Sequence, residues 1–210
     1  MPQLIDISPP LGTVTPVFPG DTAYEQTWVA QIGPGCPVNV SAITTTPHAG
    51  AHADAPLHYD PTGQTIGEVD LAPYLGLCRV IHAIGAHPVV TWAQVAHALT
   101  DDLPPRVLVR TYARMPWDRW DPMLAGLDPE LVERLADRGV QLVGIDSASI
   151  DPADSKTLNS HQVIRQRQMR VLENLCLDHV PEGDYELIAL PLKLMQADAS
   201  PVRAVLRTLD

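Results

Sequence analysis

The chain has 210 residues, 45% of them hydrophobic, and its 25 acidic residues outnumber 14 Lys and Arg to give a formal charge of −11. That length suits one domain with a sizeable core, and the acidic balance, without a basic stripe to meet phosphates, argues against a nucleic-acid partner. No run approaches the ~18 apolar residues of a membrane span and no basic-then-apolar leader opens the chain, so a cytoplasmic protein without membrane contact is expected.

In chain order, LIDIS reads as a strand and PPLGTVTPVFPGDT as a Pro-rich loop. PVNVSAITTT alternates into a strand that ends at Pro47. CRVIHAIGA and PPRVLVRTY are strong strands. Between them VTWAQVAHALTD predicts a helix with Thr91 as its cap. DPELVERLADRG starts at an Asp-Pro pair and stops at Gly139, a cap-to-cap helix. VQLVGIDS follows as a buried strand, so a βαβ unit is expected over 106–146. DYELIALPLKLM and SPVRAVLRTL read as two strands joined by QADA. The class is mixed α/β with a largely β core and flanking helices, in a single domain over 1–210.

Cys36, Cys78 and Cys176 are odd in number and form no CxxC pair, so they are expected as small apolar core residues. The ligands of any metal would then be nitrogen and oxygen. The run HAGAHADAPLH, residues 48–58, supplies them: His48, His52, Asp54 and His58, three imidazoles and a carboxylate. Pro47, Gly50 and Pro56 oppose an ordinary helix there. On a helix Asp54 would stand ~240° around the axis from His48. In an extended chain the four even positions share a face. A metal site is the sharper reading, and a His-rich surface loop is the bland one.

One segment rarely completes a catalytic centre. The best distant candidates are His161 and Glu173 in SKTLNSHQVIRQRQMRVLENL. On a straight helix their separation would be ~18 Å, too long for one metal pair. If both are ligands, the chain must fold back near Arg167 to Met169. Read alone, His161 is a surface helix residue and Glu173 a solvated carboxylate. His82, His87, His97 and His179 read as structural. GIDSAS lacks the GxSxG pattern of a serine hydrolase, which leaves Asp146 and Ser147 as supports of the site or, more simply, a turn cap.

The ungapped HxGxHxDxPxH pattern resembles the cyclase-type metal-dependent hydrolases. DISPP, TPVFPGDT, YLGLCRVIHAIGA, GIDSASIDP and GDYELIALPLK narrow the resemblance to the bacterial kynurenine formamidases (arylformamidases). It implies the cyclase-like swivelling β/β/α fold and a site with two zinc ions, for which manganese or another divalent ion could stand in. His48, His52, Asp54, His161 and Glu173 match its metal ligands, with Asp54 and Glu173 shared between the ions, and His58 matches the catalytic acid/base. Phe18 stands where Trp is expected against the substrate ring; it keeps an apolar face and loses the indole N–H.

The activity so implied is hydrolysis of N-formyl-L-kynurenine to L-kynurenine and formate in tryptophan degradation, by metal-bound hydroxide, in a homodimer. The alternatives are a cyclase-fold hydrolase of another amide, cyclic imide or isatin-like lactam, and a non-catalytic metal clip.

Overall fold

The computed structural model describes residues 1–209. Strands β1 (Leu4–Asp6), β2 (Glu25–Ala30), β3 (Val40–Thr44) and β4 (His52–Asp54) come first, followed by the short helix α1 (Pro56–Tyr59). Next are β5 (Leu75–His82), β6 (Val89–Val90), α2 (Trp92–Val95), β7 (Arg106–Arg110), β8 (Gly126–Leu127), α3 (Pro129–Asp137) and β9 (Leu142–Ile145). The C-terminal part adds α4 (Asn159–Gln166), β10 (Arg170–Glu173), β11 (Gly183–Ile188), β12 (Ala199–Pro201) and β13 (Val205–Thr208).

Nine strands form one mixed sheet in the order β1-β13-β11-β5-β7-β9-β10-β4-β12. β5, β7, β9 and β10 are parallel neighbours, and the apolar runs of β7 and β9 are buried throughout or nearly so, as expected of central parallel strands covered on both faces. The expected βαβ unit is present as β7–α3–β9. Asp128 caps α3 by accepting from Glu130 N at 2.8 Å, Pro129 opens it, and Gly139 at φ +85° ends it. α2 is shorter than expected: Thr91 and Gln94 form a capping box, but the chain tightens to a 3-10 turn at Ala96–Ala98.

The C-terminal strands differ most from expectation. SPVRAVLRTL is two strands: β12 pairs with β4 at one margin, whereas β13 lies between β1 and β11 at the other. Only residues 202–204 connect them, a reach of at most ~14 Å. The sheet therefore curls until its two margins lie side by side. β2 and β3 form a separate hairpin. Five of the six β2 residues are exposed, so no burial alternation announces that strand in the sequence.

Alternation along the strands divides the core. Val80, Leu108, Leu142 and Leu172 face one apolar cluster with Ile7, Tyr74 and Leu206. Ile81, Val107, Val109, Val143 and Val171 face the other, which Leu131 and Leu135 of α3 and Ile164 of α4 cover. Of the cysteines only Cys78 is a core residue; Cys36 sits in the hairpin turn beside Gly33, and Cys176 is half-buried.

Candidate metal centre

Ala53 and Leu172 belong to the first cluster, so their neighbours His52, Asp54 and Glu173 project to the helix-covered face. The antiparallel register sets Glu173 opposite His52 and Val171 opposite Asp54. His52 Nε2 consequently lies 3.3 Å from Glu173 Oε2 and 3.4 Å from Asp54 Oδ1. Within the 48–58 run only His52–Asp54 is a strand, so the even-position rule holds for those two residues alone. Gly50, at φ +66°, turns the chain ahead of β4. His48 stands in that turn with Nδ1 3.1 Å from Asp54 Oδ1. Pro56 opens α1, which brings His58 back over the site, its ring 4.3 Å from that of His48.

The expected reversal is also present. α4 ends at Gln166, Gln168 takes φ +55°, and β10 starts at Arg170. Helix and strand then deliver His161 and Glu173 to one point. His161 Nε2 is 3.4 Å from both Asp54 Oδ2 and Glu173 Oε1. His52, Asp54, His161 and Glu173 are buried, while His58 is exposed at the mouth.

Each imidazole has its far nitrogen engaged. His52 Nδ1 lies 2.9 Å from Gly50 O, so it carries the proton and donates. His161 Nδ1 is 2.7 Å from Asp151 Oδ2, and Asp151 also accepts from the backbone N–H groups of Ser160 and His161 at the start of α4. His48 Nε2 and His58 Nδ1 meet one oxygen, Asp198 Oδ2, at 3.0 and 3.2 Å. Such outer partners orient metal-binding imidazoles. Asp151 and Asp198 lie outside the 48–58 run, and Asp198 meets its histidines across 140 and 150 residues of chain, so closeness in sequence does not mark it.

The charges are strongly coupled. Burial works against protonated His48, yet Asp54 and Asp198 outweigh it and hold its pKa up at about 9. Burial likewise opposes His161, and Asp151, Asp54 and Glu173 raise it. Burial would raise Asp54, but His161 and His48 hold it well below the usual carboxylate range. Burial and the neighbouring Asp54 push Glu173 up, and His161 and His52 bring it back below its ordinary value. The two buried carboxylates thus demand positive charge between them.

A divalent cation fits that demand. His52 Nε2 and Asp54 Oδ1 are buried without a hydrogen-bond partner, an expensive state for polar atoms. His52, Asp54 and Glu173 offer ligand atoms within 4.8 Å of one another, and so do His48, Asp54 and His58. Nitrogen and carboxylate donors of this kind suit a borderline divalent ion.

The cluster closes one end of a cavity of about 300 Å3 that Phe18, Asp21, Trp120 and Lys156 also line. Phe18 and Trp120 meet edge to face at 5.4 Å. The indole absent at position 18 is therefore present in the same cavity at 120, a residue that sequence spacing does not point to. Asp146 and Ser147 do not form a nucleophile pair. Asp146 accepts from Thr111 and Tyr112 and so ties the end of β9 to the end of β7, while Ser147 Oγ donates to the carbonyls of Ala125 and Ser149. His82 and His97 lie apart and bond Val180 O and Glu182.

The family described as "Putative cyclase" matches residues 5–152. The kynurenine formamidase of Paracidovorax citrulli (strain AAC00-1) is 70% identical over 209 residues, covering 98% of this chain and 97% of that protein. A solved structure described as a potential metal-dependent hydrolase with cyclase activity superposes with a TM-score of 0.85 at 25% identity, covering all of both chains. An isatin hydrolase bound to the product analogue thioisatinate gives 0.85 at 21% identity, covering all of this chain and 93% of its own, a likeness of fold. A family match across most of the chain and a near-full-length relative at this identity agree: the chain belongs to the cyclase family and stands among its kynurenine formamidases.

Proposed function

We propose that this chain hydrolyses N-formyl-L-kynurenine to L-kynurenine and formate, using two zinc ions held by His48, His52, Asp54, His161 and Glu173. The observation that carries the reading is the single cavity onto which the buried imidazole–carboxylate cluster, an aromatic pair and two opposite charges open. A full-length relative named for this reaction supplies the substrate. A divalent ion bound at such a cluster acidifies water toward pKa ~7 and polarises a carbonyl oxygen.

The chain's own residues do the rest. Phe18 and Trp120 hold the substrate's aromatic ring. Lys156 and Asp21, neither ion-paired among the described residues, match the carboxylate and ammonium of its amino-acid end. His58 takes a proton from water as the formyl carbon–oxygen bond forms. It hands that proton to the anilide nitrogen as the carbon–nitrogen bond breaks, since an aryl amide anion is a poor leaving group. Manganese or another divalent ion suits the same ligands.

The assembly we propose is a homodimer, for which Trp28, Val29 and Ile43 leave an exposed apolar surface on the β2–β3 hairpin. No helix among the described residues is long and apolar enough to cross a membrane. The deciding experiment measures N-formyl-L-kynurenine hydrolysis by metal-stripped protein before and after zinc is added. Turnover should appear with zinc and saturate near two equivalents; no turnover in either state overturns the reading.

A further inference from the structure

Asp198 lies outside every motif, yet one of its oxygens touches two site histidines. Main-chain pairing puts it there. Ala199 is in register with Asp54 across β12–β4, and Asp198 O accepts from Ala55 N at 2.8 Å. The carboxylate is thereby clamped beside the ligand run from a point 140 residues after His58 in the chain.

A carboxylate only accepts, so both imidazole nitrogens that meet it must carry hydrogen. That assigns Nε2–H to His48 and Nδ1–H to His58. With a cation in place of the hydrogen between His48 Nδ1 and Asp54, both rings are neutral and their opposite nitrogens unprotonated. His48 Nδ1 faces Asp54, where a cation belongs. His58 Nε2 is left as the nitrogen able to take a proton. An unrestrained imidazole favours Nε2–H, the wrong form for that task, and a ring with the wrong tautomer can be well placed and still inactive.

We infer that Asp198 is a positioning residue that sets the tautomers of His58 and His48 together through one shared oxygen. It thus couples the proton carrier to the metal centre. The inference rests on the proton-carrier role given to His58 above.

The test is Asp198→Ala and Asp198→Asn in the full chain. The side chain is 41% exposed, and the β12 pairing runs through the main chain. Folding is therefore expected to survive, as the unfolding midpoint will verify. In the zinc-loaded parent, nitrogen-15 NMR should find Nδ1–H on His58. Asp198→Ala should shift His58 toward Nε2–H, lower kcat about 10–100-fold at full zinc occupancy with KM little changed, and weaken zinc binding on the same scale. Asp198→Asn keeps an acceptor oxygen and should retain Nδ1–H with a smaller loss. A His58 that stays Nδ1–H in Asp198→Ala, or an Asp198→Ala protein with parental kcat and zinc affinity, overturns the inference. The tautomer and zinc readouts stand even if the parent does not turn over N-formyl-L-kynurenine, so the two readings fail separately.

Discussion

Glu173 stands directly across the β10–β4 ladder from His52, and their side chains approach to 3.3 Å on the helix-covered face of the sheet. This cross-strand pair, with the His161–Asp54 approach, joins the two halves of the candidate metal centre. Glu173 is also anchored, because Oε1 accepts from Ile150 N at 2.8 Å. Removing its carboxylate should therefore cost more than loss of an outer partner. We expect Glu173→Ala to bind zinc at least ~100-fold more weakly than the parent, as read by competition with a chelating dye. Parental affinity would remove Glu173 from the ligand set.

His58 is near enough to His48 and Asp54 to serve as a ligand, but it is exposed at the mouth and held by Asp198. His58→Ala should keep the parental metal content by elemental analysis and lose about 10²–10⁴-fold in kcat, the usual scale for an acid/base group. Loss of metal in this variant would make His58 a ligand.

Lys156 tests how the amino-acid end of the substrate is held. Lys156→Met should raise KM for N-formyl-L-kynurenine about fivefold, as loss of an exposed ion pair worth ~1 kcal/mol would do. Formanilide lacks the carboxylate, so its KM should not move. Equal effects on both substrates would show that Lys156 shapes the cavity without recognising charge.

Arg165 of α4 donates to Asp60 Oδ2 at 2.6 Å and ties the helix carrying His161 to the turn carrying His58. The guanidinium, with help from Thr62, holds the Asp60 pKa down at about 2. A depressed carboxylate stabilises the fold above its unfolded pKa of ~3.9, and that contribution fades as pH falls toward 2. Asp60→Asn should be less stable than the parent in denaturant titrations at pH 6, and the gap should narrow as the pH is lowered below 4. A constant gap would mean that the pair contributes through packing.

Burial pushes the Cys78 thiol up to about 12. At pH 8 it remains a thiol, and only thiolates alkylate quickly. Iodoacetamide should therefore leave Cys78 unmodified in the native protein and reach it after unfolding, as peptide mass spectrometry will check. Rapid native labelling would show that this part of the sheet opens readily.

Local chemistry made much of this protein legible in its sequence. Ligand types crowd into residues 48–58, and Asp128 and Gly139 mark the ends of α3. The apolar runs of β5, β7 and β9 mark the sheet centre. Even the reversal between α4 and β10 follows, once His161 and Glu173 are taken as ligands of one site, from the ~18 Å that a straight helix would impose. These features depend on residues near one another in the chain, whose conformations are restricted by sterics and periodicity.

Tertiary structure decided what depends on long-range register. It placed Asp198 and Asp151 behind the histidines, brought Trp120 against Phe18, and sent β12 and β13 to opposite margins of a curled sheet. A carboxylate that orients a ring needs only to arrive at hydrogen-bond distance, and main-chain pairing far along the chain delivers it. No spacing rule encodes that arrival.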